Sequence, residues 1–151
     1  MKCLKRDADS TGTLLVVGLT SDCDAAWKVA MDCFPAAHRA ANCSEAVAVM
    51  QQRSPAVVIC DDSLPDGSWR DVLDTAAALR EPPAVVVTSR LANERLWAEV
   101  LNLGGYDLLA RPLELTELRR SLSGARQQWL NARGRHYLAR DVRNRSSIST
   151  W

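Results

Sequence analysis

The sequence predicts an open, doubly wound α/β domain: a five-stranded parallel sheet in the order 2-1-3-4-5, helices on both faces and an extended C-terminal helix. Two observations carry this. Short apolar runs alternate with amphipathic segments, at connection lengths that suit right-handed βαβ units. One of those runs, Ala56 to Cys60, stops abruptly at two carboxylates, Asp61 and Asp62, before Pro65 and Gly67 turn the chain. A short apolar run bounded by turn chemistry reads as a strand buried on both faces. An acid at its carboxyl end lies where open α/β sheets place their sites, although the same two acids also suit a strand end and a solvated turn.

The elements follow in order. Residues 1–12 are polar and read as a disordered lead-in. Thr13 to Val17 is the first strand and ends at Gly18; Ser21 or Asp22 then caps a helix with Ala26, Val29, Ala30 and Cys33 on one face, which Pro35 ends. His38 to Ala41 is a short second strand. Asn42-Cys43-Ser44-Glu45 opens a second helix through about Gln52, with Ala46, Val49 and Met50 inward. After the Asp61 strand, Ser68 to Leu79 forms a third helix that turns Val72, Leu73 and Ala76 to the sheet. Pro82-Pro83 breaks the chain before a fourth strand, Ala84 to Val87, that ends at Thr88-Ser89. Ala92 to Leu103 is a fourth helix, stopped by Gly104-Gly105, and Tyr106 to Ala110 is a fifth strand that leads through Arg111-Pro112 into the last helix.

Whole-chain properties narrow the class. An apolar share of 47% and a charged share of 25% over 151 residues suit one ordinary globular domain. There is no run of about 18 apolar residues and no apolar signal core near Met1, so a cytoplasmic protein with no membrane role is expected. The five cysteines (Cys3, Cys23, Cys33, Cys43, Cys60) are odd in number and match no zinc spacing, and Cys33 and Cys60 are expected to pack as small hydrophobes. His38 and His136, the two histidines, form no metal or catalytic constellation. Charge is uneven: residues 1–118 hold 11 Lys and Arg against 17 Asp and Glu, whereas residues 119–151 hold eight arginines against Asp141 alone.

Three separated stretches, Asp61-Asp62-Ser63-Leu64-Pro65, Thr88 after the fourth strand, and Leu-Gly-Gly-Tyr-Asp-Leu-Leu-Ala-Arg-Pro at 103–112, resemble in this order the receiver domain of bacterial response regulators, over about Thr13 to Leu122. The resemblance implies the flavodoxin-like (CheY-like) form of the predicted fold. It further implies that Asp61 accepts a phosphoryl group from a sensor histidine kinase or a phosphotransfer protein, that Thr88 and Arg111 bind that group, and that Thr88 acts in the switch. The family's basic residue in the Arg111 position is a lysine, and an arginine exchanges a compact ammonium for a wide fork. Proline follows it there through an unusual peptide bond.

Two departures from the family pattern stand out. Receivers carry two acids at the end of the first strand, which hold Mg²⁺ together with the acceptor; here Gly18 and Leu19 take those places. Mg²⁺ asks for oxygen ligands in near-octahedral geometry, so a weak site resting on Asp61 is expected, Asp22 being needed as a helix cap and Asp62 pointing away across the pleat. The aromatic of the family's switch is also missing: its position holds Leu108, and Tyr106, two residues earlier, is expected on the same strand face as a displaced substitute.

Beyond Pro112, Leu115, Leu118, Leu122, Ala125, Trp129, Ala132, His136 and Ala139 recur at alternating three and four, a helix seam that outruns the receiver fold after Gly124. Gly124 and Gly134 each cost about 1 kcal/mol against alanine, so residues 123–151 are expected to be a basic tail that is helical or disordered. No helix-turn-helix fits in it, and sequence-specific DNA binding is not expected. Trp69, Trp97 and Trp129 fall on helices, where core packing is the default, although Trp97 lies on the helix receivers use for contacts.

These readings converge on a non-enzymatic, atypical receiver protein of two-component phosphorelay signalling, with Asp61 as phosphoacceptor and protein–protein contact as output. An alternative is a phosphorylation-independent docking module or homodimer that uses the fourth helix, the fifth strand and the C-terminal helix. A flavin-type enzyme fits the fold, but Gly18 stands alone where a phosphate-cradling glycine loop is needed.

Overall fold

In the computed structural model, residues 12–18 and 24–149 are described, with side chains for 12–18 and 25–134. The chain before Gly12, Leu19, Ser21 and Asp22 fall outside the described residues, as do the side chains of His136 and of the arginines beyond Gly134. Five strands, β1 (Leu14–Val17), β2 (Ala37–Ala40), β3 (Val57–Asp61), β4 (Ala84–Ser89) and β5 (Asp107–Ala110), pair in parallel in the order β2-β1-β3-β4-β5. They alternate with α1 (Asp24–Cys33), α2 (Cys43–Arg53), α3 (Trp69–Ala77), α4 (Glu94–Asn102) and α5 (Leu115–Ser149). This is the doubly wound architecture expected from the pattern of apolar runs. No helix among the described residues is long and apolar enough to cross a membrane.

The strands at the centre of the sheet are apolar on both faces because both faces are covered. One layer places α1 and α5 over Leu14, Val57, Ile59 and Val86; the other places α2, α3 and α4 over Leu15, Val58, Cys60 and Val87. Every residue of β1 and β4 is buried, whereas the edge strand β2 is mostly half-exposed, which is why it reads so weakly in sequence. Cys33 and Cys60 take their expected places in these two layers.

Caps set the helix ends. Asn42 accepts from Glu45 N at 2.9 Å while the Glu45 carboxylate accepts from Ala41 N at 2.7 Å. Ser68 and Asp71 form the equivalent reciprocal box on α3. Asn93 accepts from Leu96 N at 2.8 Å, so α4 starts at Glu94 rather than at Ala92. Past α4, Gly104 adopts φ +99, in the left-handed region, and Gly105 N donates to Val100 O at 2.8 Å, a glycine-assisted helix end.

Two features differ from expectation. A two-rung antiparallel hairpin, Ser63–Leu64 against Gly67–Ser68, lies within the loop after β3. The other concerns α5: it is the extended C-terminal helix that was expected, 35 residues and about 52 Å long at 1.5 Å per residue, but its core contacts run past Leu122. Ala125 is fully buried and Trp129 is 5% exposed, both in the α1–α5 layer. Part of the seam beyond Gly124 is therefore used by the body itself. Gly124 serves that packing, since a Cβ there would lie 2.2 Å from the Tyr106 hydroxyl.

Candidate functional site at the carboxyl end of the sheet

Backbone pairing delivers the site. Asp61 is the last residue of β3 and is paired in register with Thr88 of β4. The ladder continues past the strands: Asp62 N donates to Thr88 O at 2.8 Å, Arg111 N to Ser89 O at 2.9 Å and Gly18 N to Ala40 O at 2.9 Å. Positions far apart in sequence are thereby held at one edge by the same bonds that hold the sheet. The Arg111–Pro112 bond is cis, in line with the unusual peptide that the resemblance implies.

At this edge the Asp61 carboxylate is the convergence point. Its Oδ2 accepts from Arg111 Nη1 at 3.0 Å, and its Oδ1 is approached by Thr88 Oγ1 at 3.4 Å and by Asp62 N at 3.1 Å. Thr88 is fully buried, and the two members of the ion pair are shielded, the Arg111 side chain at 7% and that of Asp61 at 16% exposure. Burial pushes the Asp61 carboxyl above its usual range, the Arg111 charge and hydrogen bond pull it down, and the charge of Asp62 adds an upward push. Asp61, Thr88 and Arg111, singled out from three separate stretches, thus meet.

Asp62 turns elsewhere. Its Oδ2 accepts from Ser89 Oγ at 2.7 Å, and that hydroxyl also accepts from Leu91 N at 3.0 Å. Ser89 escapes sequence reasoning as a distinct role; the signal is only that residues 61 and 62 face 88 and 89 in parallel register. Asp66 was likewise unforeseen. It accepts from Cys43 N at 2.7 Å and Ser44 N at 3.1 Å, so the loop after β3 is anchored on the N-terminus of α2. These bonds, that from Cys43 N foremost, hold the Asp66 carboxyl below its usual range.

The residues that stand where the resemblance expects a metal's acids do not suit a metal. Gly18 has φ +78, and a Cβ built on it would lie 2.5 Å from Leu64 Cδ2 and 3.5 Å from Asp61 Cβ. Leu64, 7% exposed, thus fills the space beside Asp61 with hydrocarbon. Among the described residues no group of three or more His, Cys, Asp or Glu is placed to hold a metal ion. A hard dication that asks for several oxygens does not fit this set.

Tyr106 corrects an expectation. It precedes β5 rather than lying in it, and it packs against the α1–α5 layer beside Gly124, whereas Leu108 is buried in the α2–α4 layer. The two are therefore not on one strand face: strand alternation starts only at Asp107, whose carboxylate accepts from Ser121 Oγ of α5 at 3.1 Å. Beside them runs a groove between α4, β5 and α5, lined by Trp97, Tyr106, Leu108, Glu117 and Arg120. Trp97 is 48% exposed there, unlike Trp69 at 2% and Trp129 at 5%, which do pack in the core.

No protein-family model matches this chain, and no curated protein sequence does. Solved structures match it over most of its length. A CheY-like response regulator receiver domain from Methanospirillum hungatei aligns at 18% identity over 80% of this chain and 98% of its own, with a TM-score of 0.69. The signal receiver domain of an HD domain-containing protein from Pseudomonas fluorescens aligns at 19% identity, 78% and 96% coverage and a TM-score of 0.67. A CheX-CheY-BeF3-Mg²⁺ complex from Borrelia burgdorferi aligns at 19% identity, 75% and 87% coverage and a TM-score of 0.64. With the sheet order, the flanking helices and the Asp61 edge, these likenesses show that the chain has the CheY-like, flavodoxin-like fold of response regulator receiver domains.

Proposed function

We propose that this chain is a receiver-type signalling module of a two-component system, with Asp61 as its phosphoacceptor and protein–protein contact as its output. One observation carries the reading: a carboxylate, a buried hydroxyl and a shielded guanidinium, brought from the ends of three strands, converge within hydrogen-bonding reach. Phosphoryl transfer asks for such parts, a nucleophilic oxygen with a cation and a donor aimed at the charge that develops. Here Asp61 is the nucleophile, Arg111 the cation and Thr88 the donor that follows the phosphoryl oxygen. The phosphoryl donor would be a sensor histidine kinase or a phosphotransfer protein. The α4–β5–α5 groove with its half-exposed Trp97 is the surface we assign to a protein partner; the Borrelia neighbour is itself a complex with a second protein. The test is incubation with a small acyl phosphate, followed by mass mapping of a hydroxylamine-sensitive adduct. The adduct should sit on Asp61 and vanish in Asp61→Asn; a labelled Asp61→Asn protein would refute the assignment.

A second reading, a phosphorylation-independent docking or dimerisation module, is favoured by Gly18 and Leu64, which leave Asp61 without an acid from the end of β1 beside it. Sedimentation velocity over a range of concentrations separates it: a dimer that persists in Asp61→Asn and dissociates in Trp97→Ala supports this reading over the first.

A further inference from the structure

We infer that the Asp61 pocket operates without a divalent cation, its positive charge being supplied by Arg111. The inference rests on the phosphoacceptor reading of Asp61 and specifies how that site is charged.

Two observations set the pocket against a metal. The space beside Asp61 that a carboxylate from the end of β1 would enter is taken by Leu64, whose Cδ2 lies 2.5 Å from where a Gly18 Cβ would be. A metal here would meet methyl groups on that side, and Asp62 is already engaged by Ser89 at 2.7 Å. In addition, Asp61 Oδ2 holds a guanidinium nitrogen at 3.0 Å, with the Arg111 side chain only 7% exposed. A dication on that carboxylate would face a fixed cation with little water between them to screen the repulsion.

The same guanidinium is chemically fit for the vacant role. It stays charged at every working pH, and its planar fork can donate to two oxygens of one phosphoryl group at once. In the transfer, a carboxylate oxygen of Asp61 attacks the phosphorus of an acyl phosphate. The phosphorus–oxygen bond to the acyl group breaks, and the electron pair leaves on the released carboxylate. One mixed anhydride replaces another, so no proton or electron is left over. Arg111 remains cationic throughout, while the hydroxyl of Thr88 donates to the transferred group.

The experiment measures the initial rate of Asp61 labelling by acetyl phosphate, in saturating Mg²⁺ and in excess EDTA. Equal rates to within about twofold are expected, where a site that relies on a metal's charge drops by about a thousandfold or more on chelation. Labelling that needs Mg²⁺ overturns the inference and leaves the phosphoacceptor reading standing. Arg111→Gln should lose on the order of a thousandfold in EDTA while Arg111→Lys keeps part of the rate; an unchanged rate in Arg111→Gln also overturns it. If Asp61 is labelled in neither condition, the phosphoacceptor reading fails and the inference that rests on it falls with it.

Discussion

Trp129 decides where the folded body ends, and its removal can be weighed in advance. It lies on α5 beyond the last position a receiver-like helix requires, yet it is 5% exposed and packs in the α1–α5 layer. Its ring approaches Gly12, where a built Cβ would be 3.3 Å from Cζ3, and the Arg133 guanidinium sits 5.1 Å from the ring centroid. A buried aromatic removes roughly 150–250 Å² from water, worth roughly 4–6 kcal/mol at about 25 cal/mol per Å². A compact unfolded chain lowers that by about 10–40%, and alanine keeps one carbon in place. The expected loss for Trp129→Ala is therefore about 3–4 kcal/mol, within the usual range for such truncations. Among the described residues its buried indole Nε1 has no hydrogen-bond partner. Urea unfolding followed by far-UV circular dichroism measures the loss as a shift in midpoint at unchanged slope. Trp97→Ala is the internal control: at 48% exposure it should cost below about 1 kcal/mol. A Trp129→Ala loss as small as that of Trp97→Ala would refute the reasoning and place the end of the body before residue 129.

Other outcomes follow from particular contacts. Gly124→Ala gains about 1 kcal/mol in helix propensity but drives a Cβ to 2.2 Å from the Tyr106 hydroxyl, so it should destabilise. Tyr106→Phe in the same chain should recover much of the loss, and a stabilised Gly124→Ala single variant would refute the contact. Asp66 has its carboxyl held below its ordinary value of 3.8, so its contribution is present above that pH and is lost as pH falls through the folded-state value. Asp66→Asn should therefore be less stable than the parent at pH 7, with the gap closing in acid below 3.8; a gap that widens in acid contradicts the capping role. Burial, aided by Asp66, pushes the Cys43 thiol up to about 11, so iodoacetamide at neutral pH should modify it on the order of a hundredfold more slowly than an unperturbed thiol. Peptide mapping against a free-cysteine standard reads that ratio, and equal rates would exclude the environment described. Cys60, pushed up further by full burial, should stay unmodified until the protein unfolds.

The amino-acid sequence by itself determined the layered fold and three members of the candidate site. Period and punctuation suffice for the fold: apolar runs covered on both faces are strands between helices, and residues at strand ends share one edge of a parallel sheet once the strands are in order. Asp61 stood out as an acid at such an end, whereas Thr88 and Arg111 were singled out by the resemblance of their stretches to receiver domains. What only the tertiary structure decided are matters of side-chain direction and of contacts across the fold. Tyr106 seemed to share a face with Leu108, but β5 begins one residue later, and the ring turns to the gap that Gly124 leaves. Trp129 looked like part of a weak seam because Gly12, which its ring approaches, lies more than a hundred positions away in the chain. Leu64 gave no sign of its position, since nothing local tells that a loop leucine will fill the space next to Gly18. Periodicity reports which residues are buried; which atoms meet inside depends on the register and crossing of elements that the chain brings together only on folding.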